Sequence, residues 1–187
     1  MQYVVKIATS NINGIKSKTR IGMLEDFLRR QDIDFALLQE VTCADLTTFR
    51  RYTAHTNPGT DRRRTAILVK KELVLSDIRR IPSGRGIAAT HNGTRITNLY
   101  APSGAEKRNA GESFYNTEIT SLLPSTDTEM IVAGDFNCML SPADTTGREN
   151  YSRALDTLTK GLGLKDVSEI PHTSDIYALH IHGSIQT

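Results

Sequence analysis

No stretch of the 187 residues approaches the roughly 20 consecutive apolar residues that cross a bilayer, and the amino terminus lacks the basic-then-apolar pattern of a secretion signal. The expectation is an intracellular protein with no membrane partner. Cysteine is scarce: Cys43 and Cys138 lie far apart without metal-ligand spacing, which argues for two reduced thiols rather than a disulfide framework. Repeats and low-complexity segments are absent. So is a G-x-x-x-x-G-K-[ST] phosphate loop, because "GIKSKT" lacks the second glycine. No G-x-S-x-G elbow occurs either, and serine hydrolase chemistry has no support.

What is present suits one globular domain spanning 1–187. The chain is 38% hydrophobic and 24% charged, ordinary for a soluble fold, and its length allows a core that buries roughly 70% of the unfolded surface. A net charge of +2 is too mild to prove a polyanionic partner, but arginine is unevenly spread, with clusters at Arg62, Arg63, Arg64 and at Arg79, Arg80.

Apolar alternation at Val5 and Ile7 predicts a first strand from about Tyr3 towards Asn11. Helical spacing of Ile21, Leu24, Phe27 and Leu28 follows, with Glu25/Arg29 and Asp26/Arg30 paired on the solvent face. "FALLQE" reads as a buried strand ending on Glu40; "TAILVK", "GIAATH" and "TRITNLY" read as further strands, the last two joined by an Asn92-Gly93 hairpin turn. A second amphipathic helix carries Tyr115, Ile119, Leu122 and Leu123, and a third carries Tyr151, Leu155, Leu158 and Leu162 and ends near Gly161 and Gly163. Between them "EMIVAGDFNCML" is a strand, and the tail "DIYALHIHGSIQT" suggests one more. Strands in clusters with helices between them favour two packed sheets flanked by helices.

Four of these strands end on polar groups: Asn11, Glu40, Tyr100, and the pair Asp135 and Asn137. Each alone is an ordinary turn or strand-end residue. If the ends converge, however, two carboxylates, two amides and a phenol share one site, a set suited to phosphodiester hydrolysis. Carboxylate and amide oxygens are hard ligands of the kind Mg²⁺ takes, and a second carboxylate accepts a proton from water.

The flanking residues "TSNINGI", "LLQEVT", "NLYAPSG" and "VAGDFNCML" resemble, in order, the motifs of the endonuclease/exonuclease/phosphatase superfamily, whose fold is that of pancreatic deoxyribonuclease. "NINGI", "YAPSG" and "GDFN" are most similar to the endonuclease domains of LINE-type (non-LTR) retrotransposons. The resemblance implies an α/β fold, a four-layer α-β-β-α sandwich, with Mg²⁺ or Mn²⁺ as cofactor. It also implies that Glu40 is the principal metal ligand, with Asn11 beside it on metal or phosphate. Asp135 would deprotonate the attacking water, Asn137 would hydrogen-bond the pentacoordinate phosphate, and Tyr100 would contact a phosphate oxygen.

Departures from that pattern are equally specific. The family's Arg-Ile-Asp-like strand and its terminal Ser-Asp-His motif do not occur in this chain, so the domain is expected to be incomplete at its C-terminal strands. Ser103 stands where many relatives have Asn, and Ala178 where a Thr often follows the tyrosine. His180 and His182 have the spacing of one strand face, which suits a transition metal, but a loop near the truncated edge is the preferred reading. Asp175 in "TSDIY" has no following His and takes no role. Arg62, Arg63 and Arg64 are either a solvated loop or a grip on DNA phosphates.

The resemblance therefore implies a metal-dependent endonuclease that nicks target DNA and leaves a 3′ hydroxyl to prime reverse transcription. Its partners would be DNA and the reverse transcriptase domain of the same polyprotein, and its place of action on chromosomal DNA would be the nucleus. The alternatives are a phosphatase or phosphodiesterase of the same fold, or a catalytically inactive remnant.

Overall fold

Apolar residues alternate along the strands, and this alternation sorts the core into three layers. The computed structural model describes residues 4–15, 17–42, 46, 48–60, 64–103, 108–123, 128–139, 151–166 and, as backbone, 177–180. Among them one sheet comprises β1 (Lys6–Asn11), β2 (Phe35–Val41), β3 (Tyr52–Thr56), β4 (Arg64–Lys70) and β9 (Tyr177–His180), in the order β3-β4-β2-β1-β9. The other comprises β5 (Ser76–Arg80), β6 (Gly86–His91), β7 (Thr94–Tyr100) and β8 (Met130–Asp135), in chain order. Both are mixed: β1 lies parallel to β2 and β9, and β7 parallel to β8, while the remaining pairs are antiparallel.

Between the sheets, Ile7, Phe35, Leu37 and Ile67 meet Ile87, Ala89 and Ile96. On the far side of the first sheet, Ala36 and Leu38 pack under Ile21, Leu24 and Leu28 of α1 (Lys18–Arg30). On the far side of the second, Ala88 and Leu99 pack under Phe114, Tyr115, Ile119 and Leu122, with Ala154 and Leu155 of the last helix. The result is the α-β-β-α sandwich expected from the sequence. Each fully buried Leu or Phe contributes roughly 2 kcal/mol relative to exposure, so these layers hold the strand ends firmly.

Local chemistry sets the helix limits. Ser17 caps α1 through its Oγ, which accepts from the Arg20 amide at 3.2 Å, and Asp32 ends it in a left-handed conformation (φ 54°). α3 (Arg153–Gly161) is capped likewise by Ser152, and it stops at Gly163 (φ 64°), where the Leu164 amide donates to the Thr159 carbonyl. The Asn92-Gly93 turn is present with both residues at positive φ (47° and 85°), the requirement of a tight hairpin.

Several elements differ from the sequence expectations. β3 and β5 were not anticipated; "SDIRR" has a single apolar residue and forms an exposed edge strand, so alternation could not reveal it. The second helix is irregular: α2 (Arg108–Ser113) widens into a π turn at Phe114–Glu118, which buries the adjacent Phe114 and Tyr115 together, then tightens into a 3-10 turn at Ile119–Leu122. Tyr151 precedes α3 rather than joining its apolar stripe, and its hydroxyl donates to Asp156. Asp26 pairs with Arg29 at 3.6 Å, not with Arg30, while Glu25 accepts from the Arg50 and Arg51 amides. His180 lies in β9, opposite Thr9 of β1, and not in a loop; His182 and Asp175 lie outside the described residues. Cys138 is a free thiol, and Cys43 is outside the described residues. No helix among the described residues is long and apolar enough to cross a membrane.

Candidate active site

The same alternation that builds the core determines which side chains reach the gap between the sheets. Ile7 and Thr9 of β1 face that gap, which brings Asn11 to its rim; Ile131 and Ala133 of β8 do the same for Asp135, and Ile96 and Asn98 of β7 for Tyr100. On β2 the inward residues are Phe35, Leu37 and Gln39, so regular alternation would turn Glu40 away, towards α1. A bulge corrects this. The β2–β4 register shifts between Leu38 and Val41, and Glu40 takes φ 56°, which swings its carboxylate back into the gap.

There the four strand ends meet. Asn11 Nδ2 donates to Glu40 Oε1 at 3.1 Å and to Asp135 Oδ2 at 2.8 Å, so one amide bridges carboxylates 95 positions apart (135 minus 40) from different sheets. Tyr100 Oη donates to Glu40 Oε1 at 2.9 Å. Asn11 Oδ1 accepts from the Asn13 amide at 3.0 Å, which fixes the orientation of the amide with its nitrogen towards the carboxylates. In this arrangement the Asn11 amide nitrogen is shared between the two carboxylates.

Asp135 is held from its other side as well, its Oδ1 accepting from the Asn137 amide at 3.1 Å. Asn137 has φ 49°, is exposed, and donates from Nδ2 to the Ala101 carbonyl at 2.8 Å. Gly134 explains why the apolar run must pass through glycine: φ is 140°, and a Cβ there would lie 2.0 Å from the Leu99 carbonyl oxygen of β7. Beneath this loop Tyr115 Oη donates to the Phe136 carbonyl at 2.6 Å. The neighbouring Cys138 thiol is pushed up from its ordinary pKa, chiefly by burial, which disfavours the thiolate.

Of the arginines singled out in the sequence, Arg64 pairs with Val41, which packs on the α1 side of the sheet, whereas Arg62 and Arg63 fall outside the described residues. Arg85 lies over the Tyr100 ring at 4.9 Å. Its loop is anchored by buried Asn57, which donates to the Ile81 and Gly86 carbonyls, and by the contact of Gly59 with Gly84.

Sequence reading also passed over a buried polar cluster directly below the acids. Thr9, Gln39 and Asn98 are at most 7% exposed, and Gln39 donates both to Thr9 in its own sheet and to Asn98 in the other. The available signal was an amide at an inward position of two otherwise apolar strands, "LLQE" and "ITNLY".

Among the described residues, no three His, Cys, Asp or Glu gather into a metal cage. The carboxylate pair nonetheless fits Mg²⁺ or Mn²⁺. Both groups are hard oxygen donors aimed at one rim, and Mg²⁺ takes one or two carboxylates with water completing its shell. Glu40 is the residue that would hold it, with Asn11 beside it, while the Asp135 carboxylate faces the same rim.

Known proteins of this architecture are numerous. An AP endonuclease from Archaeoglobus fulgidus superposes with a TM-score of 0.60 at 20% identity, over 83% of this chain and 68% of that one. The 3′ phosphatase NExo from Neisseria, bound to a product DNA hairpin, gives 0.66 at 20% identity, over 83% and 70%. TDP2 from C. elegans gives 0.54 at 21% identity, over 72% of this chain but only 48% of its own. At these identities the likeness is one of fold. A family model adds sequence: it matches residues 8–180, a span that includes Asn11, Glu40, Tyr100, Asp135 and Asn137. The chain belongs to the Endonuclease/Exonuclease/phosphatase family.

Proposed function

We propose that this chain is an Mg²⁺-dependent endonuclease that nicks DNA, and that it serves target-primed reverse transcription as in LINE-type retrotransposons. One observation carries the hydrolytic reading: carboxylates of both sheets share the Asn11 amide at the rim of the inter-sheet gap, with a phenol on one of them. Family membership supports phosphoester chemistry. The likeness of "NINGI", "YAPSG" and "GDFN" to retrotransposon endonucleases supports the priming role. On this reading residues 1–187 form one domain, its partners are DNA and an adjoining reverse transcriptase, and it acts in the nucleus.

Glu40 holds the metal, which when bound would offset negative charge on the phosphoryl oxygens. Asp135, oriented by Asn11 and the Asn137 amide, accepts a proton from the attacking water. The new P–O bond forms as the P–O3′ bond breaks, and the departing oxygen takes a proton to become the 3′ hydroxyl. Tyr100 and Asn137 donate hydrogen bonds to phosphate oxygens, while Arg64 and Arg85 grip flanking phosphates.

The decisive assay incubates the protein with supercoiled plasmid and Mg²⁺. Nicking that EDTA stops and that Glu40→Ala abolishes supports the proposal. Phosphate release from soluble esters without nicking would transfer the reading to a phosphatase, and inactivity on both would leave an inert remnant.

A further inference from the structure

We propose that Asn98 is a positioning residue: its buried amide, joining both sheets, holds the β2 bulge that turns the Glu40 carboxylate towards Tyr100 and Asn11. This rests on reading Glu40 as the metal-binding carboxylate and adds what keeps it in place.

Asn98 is fully buried on β7, facing the first sheet. Its Nδ2 donates to the Leu38 and Ala66 carbonyls, each at 2.9 Å. Those residues face each other in the β2–β4 ladder and are its last pair in register before the shift. Its Oδ1 accepts from Gln39 Nε2 at 2.7 Å, and the same nitrogen reaches Thr9 Oγ1 at 3.0 Å and the Leu37 carbonyl at 2.9 Å. Asn98 thus fixes the strand immediately before Glu40. On the other side the Gly14 amide donates to the Glu40 carbonyl at 2.9 Å, and the Ile12 amide to the Gln39 carbonyl at 3.0 Å.

A glutamate at positive φ persists only when its surroundings over-determine it. With Asn98 replaced by an apolar side chain the gap would still fill, but the bulged register would lose the two carbonyl contacts that fix its last regular pair. The regular register sends Glu40 to the α1 face, because a one-residue slip exchanges the two faces of a strand. A fully satisfied amide in an apolar layer therefore specifies register where packing alone does not.

The test compares the wild-type chain with Asn98→Leu, Thr9→Val and, as a control remote from the cluster, Leu28→Ala under α1. Mn²⁺ binding is read by electron paramagnetic resonance, and nicking of supercoiled DNA is titrated with Mg²⁺. Asn98→Leu is expected to weaken Mn²⁺ binding about tenfold or more and to raise the Mg²⁺ needed for half-maximal nicking by a similar factor. KM for DNA at saturating Mg²⁺ stays the same, and Leu28→Ala lowers Tm without changing Mn²⁺ affinity. A folded Asn98→Leu protein with wild-type Mn²⁺ affinity overturns the inference. Should that variant not fold, Thr9→Val, which removes one acceptor from Gln39, decides: weaker Mn²⁺ binding supports the inference and unchanged binding overturns it. Failure of the underlying reading looks different, since Glu40→Gln would then bind Mn²⁺ as wild type does. In that case crystals of the folded Asn98 or Thr9 variant decide. A Glu40 still at positive φ on the Tyr100 hydroxyl overturns the positioning role, and a Glu40 turned to α1 supports it.

Discussion

Tyr100 donates its phenolic hydrogen to Glu40 Oε1 across 2.9 Å, although the two residues lie 60 positions apart and in different sheets. The Tyr100 ring is buried and its hydroxyl alone reaches the rim, so the sandwich itself sets the position of this donor. Removing the hydroxyl leaves the ring's packing intact. Tyr100→Phe is expected to keep stability within about 1 kcal/mol and to slow Mg²⁺-dependent nicking on the order of tenfold to a hundredfold. Urea unfolding alongside single-turnover kinetics checks both; a wild-type rate would show that the phenol does not touch the reaction.

Gly134 has no tolerable substitute. In Gly134→Ala the new methyl would sit 2.0 Å from the Leu99 carbonyl oxygen at φ 140°, so β7 and β8 must separate. The combined strain and overpacking is about 3 kcal/mol or more, which lowers Tm by roughly 10 °C in a chain of this size. Calorimetry of the variant measures it.

Acid is expected to weaken the fold through His55. Burial, with the Arg80 charge second, holds this imidazole below its ordinary pKa of 6.5. Below that pH the unfolded chain binds a proton that the native one resists, so the stabilisation is complete above about 6.5 and is lost as pH falls towards the folded value. His55→Gln is expected to flatten the decline in urea midpoint between about pH 7 and about pH 5. An unaltered slope would assign the decline to other groups.

Arg85 tests the electrostatic half of the proposal. Stacked over Tyr100 on an anchored loop, it is placed to meet a phosphate beside the acids. Arg85→Ala should weaken DNA binding for all sequences alike and reduce the slope of log K against log salt by about 1. Fluorescence anisotropy over a salt series reads that slope, and an unchanged value removes Arg85 from the interface.

Period-two alternation and turn chemistry were legible in the chain itself. They yielded β1, β2, β4, β6, β7 and β8 and the Asn92-Gly93 hairpin, and the 3.6-residue spacing of apolar residues yielded α1, because each follows from local residue order. The polar groups ending those strands were legible too, and Asn11, Glu40, Tyr100 and Asp135 do come together. The edge strand β5 was not, since an exposed strand carries little apolar pattern. Nor was the place of Asn98, whose side-chain amide gains meaning only from carbonyls on two other strands.

The sequence by itself determined the layers: which residues are apolar, at what period, and where each strand stops. Only the tertiary structure decided that Glu40 faces the gap at all. By parity alone it belongs on the α1 side, and it is the bulge, held through contacts between strands far apart in the chain, that brings its carboxylate to Asn11 and Tyr100. Local residue order sets the period of a strand, but register is a property of the strand and its neighbours together.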